Sequence, residues 1–149
     1  MLLYYLNIGS NIGHKLLNIL RAMSELSLLG YIRSMSDPIE SEPWGFSSSN
    51  SFINIGFALS SEIEPHDMLD EIHRIERQLG SADHRDAAGN YVDRLVDIDI
   101  MAIDDNDGNP ITIHTPTLQV PHPHLHERTF FIEPYKQLRS DIYEAPAQS

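Results

Sequence analysis

The fold is decided by a stretch of alternating residues, Asp93-Arg94-Leu95-Val96-Asp97-Ile98-Asp99-Ile100-Met101-Ala102. Apolar side chains alternate here with the carboxylates of Asp97 and Asp99, and a period of two predicts a β-strand with one face in a core. Because successive side chains of a strand point to opposite faces, Asp97 and Asp99 emerge on the same side, with their backbones about 6–7 Å apart.

These two carboxylates admit two interpretations. Like charges held this close repel each other and favour a cation between them, and Mg²⁺ takes oxygen ligands that it shares with substrate phosphates. The pair is therefore a candidate metal site for a nucleotide. The alternative is the solvated face of an amphipathic strand, which these two residues alone favour, so the rest of the chain has to decide between them.

Composition limits the class of protein. A chain of 149 residues with 41% hydrophobic residues is expected to form one domain, 1–149, with its own core. Without cysteines, an N-terminal signal sequence or an apolar run of about 20 residues, it is expected in the cytoplasm and away from membranes. A net charge of −12 disfavours nucleic acid as a partner, and a small anion such as ATP would need local basic groups and metal ions.

Hydrophobic periodicity predicts the other elements. Strands are expected over residues 2–8, 31–40 (interrupted by Pro38) and 51–60, and helices over about 13–28, 65–80 and 127–138, with a poorly ordered tail over about 141–149. Gly9, Ser10 and Asn11 are expected to end the first strand and cap the first helix. The buried stripe of that helix is predicted to contain Leu16, Ile19, Leu20, Met23 and Leu26.

This order, βαββαβ plus a C-terminal appendage, predicts an α+β sandwich of ferredoxin-like type, an antiparallel sheet with helices on one face and active-site loops over the other. If both helices cover the face that bears Ile53, Ile55, Ile98 and Ile100, then the outer face carries an aromatic ring, an amide and two acids. These are Phe52, Asn54, Asp97 and Asp99. Such a group beneath long irregular segments is typical of a ligand site.

The segment 120–128 adds three histidines and an arginine. His122, His124 and His126 could be zinc ligands, but the chain has no cysteine and intervening prolines prevent a regular presentation, so a histidine that donates to a phosphate is favoured. Arg128 is a second candidate phosphate donor, with a surface ion pair to Glu127 or Glu133 as the alternative. Arg94, next to the acid pair, has the same candidate role.

The sequence lacks GxxxxGK[ST], GxGxxG and GxSxG, the signatures of P-loop, Rossmann and α/β-hydrolase enzymes. It resembles instead the 6-hydroxymethyl-7,8-dihydropterin pyrophosphokinase family of folate biosynthesis over essentially the whole chain. Six motifs in order carry this resemblance: Gly9-Ser10-Asn11, Glu42-Pro-Trp-Gly, Phe52-Ile-Asn54, Ile75-Glu76-x-x-Leu-Gly80, Arg94-x-x-Asp97-x-Asp99-Ile and Val120-Pro-His122-Pro-x-Leu-x-Glu-Arg128-x-Phe130.

The resemblance implies transfer of the terminal pyrophosphate of ATP to the pterin hydroxymethyl group, with release of AMP. By matching positions, the residues sort into three groups. Asp97 and Asp99 would hold two Mg²⁺; Arg94, His122 and Arg128 would contact the ATP phosphates and Glu76 the nucleotide; Phe52 and Phe130 would sandwich the pterin, with Asn54 and the backbone around Glu42, Pro43 and Trp44 at its polar edge. The catalytic set implied is Arg94, Asp97, Asp99 and His122, in a monomer that binds small molecules.

One segment departs from the family pattern. Many members carry several basic residues and a Trp after the glycine that corresponds to Gly80, whereas residues 81–86 here contain one arginine and two acids. Arg85 is the candidate replacement for a lost phosphate contact. Two alternatives stay open: a pterin-binding module that no longer transfers phosphate, and a Mg²⁺-dependent nucleotidyltransferase that uses Asp97 and Asp99. A purely structural protein ranks last.

Overall fold

The computed structural model describes residues 1–42, 51–80 and 95–144, and within these ranges no helix has the length and apolarity that crossing a membrane requires. The elements in chain order are β1 (Leu2–Ser10), α1 (Lys15–Leu26), β2 (Tyr31–Met35), β3 (Ile39–Ser41), β4 (Phe52–Ser61), α2 (Pro65–Gln78), β5 (Asp97–Asp104), β6 (Ile113–His114), β7 (Gln119–Val120) and α3 (Thr129–Arg139).

The main sheet has the strand order β2-β4-β1-β5, and β3 pairs with the part of β4 that β2 leaves free. Every pairing in it is antiparallel. With α1 between β1 and β2 and α2 between β4 and β5, this is the predicted ferredoxin-like arrangement. Pro38 separates β2 from β3, so the predicted interrupted strand is two short strands. β6 and β7 form a separate antiparallel pair.

One face of the sheet forms the larger core. The alternate residues of β4 and β5 that were predicted to face the helices do so: Ile55, Ile98 and Ile100 are buried and Ile53 is partly buried. Phe57 of β4 is buried with them. They pack with the apolar residues of α2, namely Met68, Ile72 and Ile75. The residues that alternate along the strands and those that recur every 3.6 positions along the helices therefore form a single cluster.

The stripe predicted for α1 is partly wrong. Ile19, Met23 and Leu26 are buried, but Leu16 and Leu20 are exposed by 49% and 56%. The inward face is completed instead by Asn18 and Ala22. A small residue lets the helix approach the sheet, while the Asn18 amide turns inward to donate to Ser10 Oγ and to the carbonyl of Ile12.

The predicted cap at Gly9, Ser10 and Asn11 is also wrong. β1 continues through Ser10 because it keeps its pairing with β4 and β5 to that point. The residue that precedes α1 is His14, which makes no side-chain capping bond. This extension of β1 is what brings Gly9 between the outer-face residues of its two neighbours.

The C-terminal helix α3, which the sequence left unplaced, packs against the opposite face of the sheet. It supplies Phe131 and Leu138 to a second cluster with Leu3, Tyr5, Ala58 and Met101. The approach is close at Gly56, where an added Cβ would lie 2.8 Å from Cβ of Pro134 in α3. Glycine at this position lets α3 contact the backbone of β4.

The prediction of a poorly ordered tail from about residue 141 is wrong at its start, because a helical turn covers Ser140–Glu144. It is held by a buried carboxylate: Oδ2 of Asp104 accepts hydrogen bonds from the Tyr5 hydroxyl (2.7 Å), the Tyr143 hydroxyl (2.9 Å) and the Arg139 guanidinium (3.0 Å). Burial and the bond to Asp104 raise the pKa of Tyr5. Residues 145–149 of the predicted tail lie outside the described part of the chain.

We expect Asp104→Ala to lower the free energy of unfolding by about 1–3 kcal/mol, because the buried Tyr5 hydroxyl would lose its acceptor. Urea denaturation of parent and variant checks this. The matched control is Asp141→Ala, which removes an exposed carboxylate bonded to Ser34 Oγ and should change the free energy by no more than about 0.5 kcal/mol. Equal effects of the two substitutions would contradict this account of Asp104.

Candidate active site

Two rows of residues run across the outer face of the sheet. In the first row, Gly9 of β1 is paired with Asn54 of β4 on one side and with Asp97 of β5 on the other. In the next row, Asn7 is paired with Gly56 and with Asp99. Since paired residues share a face, the strand register places the amide of Asn54 and the two carboxylates on one surface, as the sequence predicted.

The first row is shaped by the missing side chain of Gly9. A Cβ at this position would lie 2.9 Å from Oδ1 of Asn54 and 3.4 Å from the Phe52 ring. The glycine therefore allows the amide and the aromatic ring to lie directly against the backbone of β1. Gly9 was noticed in the sequence as part of a motif, and the structure gives it this steric role.

Asn54 is held in a fixed orientation. Its side chain is buried, and Nδ2 donates to Ser41 Oγ at 2.8 Å and to the carbonyl of Ile39 at 3.4 Å. Both acceptors belong to β3, and Phe52, in register opposite Ser41, is itself 8% exposed. The short strand β3 thus orients the amide that the sequence singled out.

Asp97 and Asp99 are both half-buried on the outer face, while Ile98 between them is buried in the main core. The backbone N–H of Ile98 donates to Oε2 of Glu76 at 2.9 Å. Glu76 is 2% exposed and comes from α2, on the other side of the sheet. It ties the edge strand β5 to α2 at the residue that separates the two acids. Its nucleotide contact stays a prediction.

Two carboxylates on one face fit a hard divalent cation that keeps some of its water ligands. Within residues 1–42, 51–80 and 95–144, no group of three or more His, Cys, Asp and Glu side chains is arranged to hold a metal ion. Two carboxylates alone match Mg²⁺, which usually takes one or two of them and completes its coordination with water and substrate phosphates. Asp97 and Asp99 supply two carboxylates on one face of β5, and their role as metal ligands stays a prediction.

His122 is a neutral hydrogen-bond donor at the edge of the same face. Burial, with the nearby Arg128 and His124, lowers its pKa to about 4, against a smaller opposing effect of Asp97. Its Nδ1 accepts the backbone N–H of His124 at 3.0 Å, so the proton of the neutral ring belongs on Nε2. With Asp99, His122 lines an open depression of about 340 Å³.

Arg128 lies just before α3 and over two aromatic rings. Its guanidinium carbon is 5.7 Å from the centre of the Phe130 ring and 4.9 Å from that of Phe131. Glu127, one of the two partners considered for it, is bonded to His124 at 2.6 Å. The ring distances show that the arginine packs against the start of α3. The half-buried Phe130 ring contacts Phe131 edge to face.

The structure brings together seven of the residues predicted for the site, namely Phe52, Asn54, Asp97, Asp99, His122, Arg128 and Phe130, on the outer face and its border. Glu42 is described and exposed, after the end of β3. Pro43, Trp44, Arg85 and Arg94 lie outside the described residues. The same is true of residues 43–50 and 81–93 of the irregular segments 43–51 and 81–93, which the family resemblance implies are catalytic loops.

Sequence reasoning missed Asn7 as a part of this surface. Its side chain is 2% exposed, and Nδ2 donates to the backbone carbonyl of Phe130 at 2.7 Å. Alternation along the first strand puts Asn7 on the face opposite to Leu6 and Ile8, but it assigns no contact to the amide. Its partner is 123 residues away, and nothing in the local sequence could have identified it.

Comparisons with known proteins identify the family. The model of the family described as 7,8-dihydro-6-hydroxymethylpterin-pyrophosphokinase matches residues 5–140. The 2-amino-4-hydroxy-6-hydroxymethyldihydropteridine pyrophosphokinase of Porphyromonas gingivalis is 36% identical over 149 residues, 98% of this chain and 97% of that protein. The enzyme of the same name from Aquifex aeolicus is 31% identical, covering 93% and 81% of the two chains. Folic acid synthesis protein FOL1 of Dictyostelium discoideum is 34% identical over 90% of this chain and 19% of its own length.

We expect Glu76→Ala to reduce the free energy of unfolding by about 1–3 kcal/mol, because the buried N–H of Ile98 would lose its acceptor. Hydrogen exchange at the Ile98 amide should become faster in the same variant. Glu76→Gln keeps an acceptor and should retain most of the protection, while Glu71→Ala, a surface substitution in the same helix, is the matched control. Unchanged exchange at Ile98 in Glu76→Ala would contradict this role.

We expect the His122 ring of the free protein to stay neutral down to pH 5, with an NMR titration midpoint at about 4. Because the unfolded chain takes up a proton at its ordinary pKa of about 6.5 and the folded chain does not, the part of the stability that depends on neutral His122 is lost as the pH falls from about 6.5 to 4. Arg128→Gln should raise the midpoint. A midpoint in the parent near the ordinary value would contradict the prediction.

Proposed function

Because this chain belongs to the 7,8-dihydro-6-hydroxymethylpterin-pyrophosphokinase family, we propose that it transfers pyrophosphate from ATP to 6-hydroxymethyl-7,8-dihydropterin in folate biosynthesis. The products are the pterin pyrophosphate and AMP. The observation that carries the proposal is the family match over residues 5–140, together with the row of Asn54, Gly9 and Asp97 across the sheet.

The pterin half of the proposed site lies at the Asn54 side of the row. A flat aromatic heterocycle stacks well on aromatic rings, and Phe52 and Phe130 are two rings on this face and its border. The Asn54 amide is fixed by Ser41 and has Oδ1 toward Gly9, so it is suited to the polar edge of the ring. We assign the backbone of Glu42, Pro43 and Trp44 to the same edge.

The ATP half lies at the Asp97 side. We assign two Mg²⁺ ions to Asp97 and Asp99. When bound, these ions would neutralise the negative charge of the phosphates. His122 can donate from Nε2 to a phosphate oxygen, and Arg128 offers a forked donor that matches phosphate geometry. The proposal adds Arg94 and Arg85 as further phosphate contacts and Glu76 as a nucleotide contact.

In the reaction, the hydroxymethyl oxygen forms a bond to the β-phosphorus of ATP as the bond from that phosphorus to the oxygen of AMP breaks, and the hydroxyl proton is lost. Transfer of this kind depends chiefly on positioning and charge neutralisation. The register of β4, β1 and β5 supports such positioning. It places the Asn54 amide, proposed to bind the pterin, on β4, and the carboxylates proposed to serve the phosphates on β5, with β1 between them.

The charge of the chain bears on this proposal. With a net charge of −12, the general field opposes ATP, so the local cations and the metal ions have to overcome it. The acidic segment 81–86 adds to this demand. We also propose that the chain acts as a monomer with one domain, 1–149, in the cytoplasm.

We expect Asp97→Asn to lower the rate of pterin-dependent AMP formation by about 100-fold or more, because one ligand of the proposed metal site is lost. Residual activity should need a higher Mg²⁺ concentration than the parent. The measurement is AMP release from ATP with and without the hydroxymethyl dihydropterin, over a Mg²⁺ titration. Asp99→Asn should behave similarly.

The matched control is Asp70→Asn, which makes the same change in net charge at an exposed position of α2 and should leave the rate and the Mg²⁺ requirement unchanged. Full activity of Asp97→Asn would remove this residue from the metal site. If the parent binds the pterin but releases no AMP, the chain is the non-catalytic binding module and the proposed reaction is wrong.

A further inference from the structure

The first turn of α3 has a backbone carbonyl that the helix itself cannot satisfy. In an α-helix, the carbonyl of residue i accepts the N–H of residue i+4. For Phe130 that residue is Pro134, which lies inside α3 and has no N–H. The Phe130 carbonyl therefore needs a donor from elsewhere in the protein, because an unpaired buried carbonyl costs free energy.

The donor is Asn7 of β1. Its Nδ2 lies 2.7 Å from the Phe130 carbonyl oxygen, and its side chain is 2% exposed. A buried amide with a short bond to one carbonyl is ordered by that bond. It also restores at Phe130 the interaction that Pro134 removes, although the two partners are 123 residues apart in the chain.

The same row of the sheet also receives Pro134. Asn7 is in register with Gly56, whose missing Cβ leaves the space that Cβ of Pro134 approaches, and with Asp99 on the other side. Gly56 and Asn7 thus contact the start of α3 at two points. One residue accommodates the proline ring and the other binds the carbonyl that this proline leaves without a helical donor.

We propose that Asn7 is a positioning residue for the pterin substrate, acting through Phe130. The inference rests on the proposed function, in which the Phe130 ring stacks on the pterin. With its carbonyl tied to the residue beside Asp99, the ring is held at a set distance from the carboxylates assigned to the phosphates. Loss of the bond frees the first turn of α3 and weakens the stacking surface, while the carboxylates themselves stay in place.

The test is a double-mutant cycle on turnover. Asn7→Leu keeps the branched shape and the number of heavy atoms of the side chain and removes the donor. It should raise the KM for the pterin about tenfold, while kcat and the KM for ATP stay within about twofold, the pattern of lost uniform binding. Pro134→Ala returns a backbone N–H at residue 134. In that background Asn7→Leu should raise the pterin KM by less than about threefold, because the carbonyl then has a helical donor.

The matched control is Ser61→Ala, which also removes a buried side-chain bond to a main-chain carbonyl, that of Leu29 at 2.7 Å. Urea unfolding of every variant is measured alongside, and Ser61→Ala should lose stability without any change in the pterin KM. The inference is overturned if Asn7→Leu raises the two KM values equally, if its effect is undiminished with Pro134→Ala, or if Ser61→Ala reproduces it.

The failure of the proposed function has a different signature. It is seen in the parent, which would then form no AMP in the presence of the pterin, and it overturns the role of Asn7 with it. An active parent in which Asn7→Leu leaves the pterin KM unchanged overturns the role of Asn7 alone.

Discussion

The antiparallel register of β1 with its two neighbours is the constraint on which the site depends. A strand sends alternate side chains to opposite faces, so a shift of one residue in either pairing would exchange the buried residues with the polar ones. The core fixes the register, because Ile55 and Ile98 have to lie under the helices. The same register then sets Asn54, Gly9 and Asp97 in one row on the outer face. Folding and site assembly are in this sense one event.

A second constraint is the docking of α3 on the outer face. The helix covers only part of this face, and its first turn ends beside the row that contains Asp99. Its far end is held by the buried Asp104 at the other end of β5. Strands β1 and β5 therefore both contribute to the placement of α3, β1 through the bond of Asn7 to Phe130 and β5 through the bond of Asp104 to Arg139.

Much of this could be predicted from the sequence. The period of two in β4 and β5 gave their faces correctly, because a strand with one buried side has a single solution. The buried face of α1 was harder to predict, since Leu16 and Leu20 lie next to it and only the contact with the sheet decides that Asn18 and Ala22 are buried in their place. The proposed roles of single residues come from the family resemblance, because periodicity cannot give them.

What could not be predicted joins residues far apart in the chain. The bond of Tyr5 to Asp104 spans 99 residues and that of Asn7 to Phe130 spans 123. Neither bond leaves a pattern in the local sequence. An asparagine in a strand is unremarkable when considered alone, and a proline inside a helix is unfavourable. Pro134 in particular is explained only when the donor on the neighbouring strand is known.

In the proposed function, pyrophosphate passes as one unit from ATP to the pterin on the outer face of the sheet. Mass spectrometry of the products formed from ATP and the hydroxymethyl dihydropterin, with Mg²⁺ present, distinguishes this reaction from its alternatives. We expect AMP and a pterin that carries both phosphates, in equal amounts. A pterin that carries one phosphate with ADP as the second product, or one that carries the nucleotide with release of pyrophosphate, would overturn the proposed reaction.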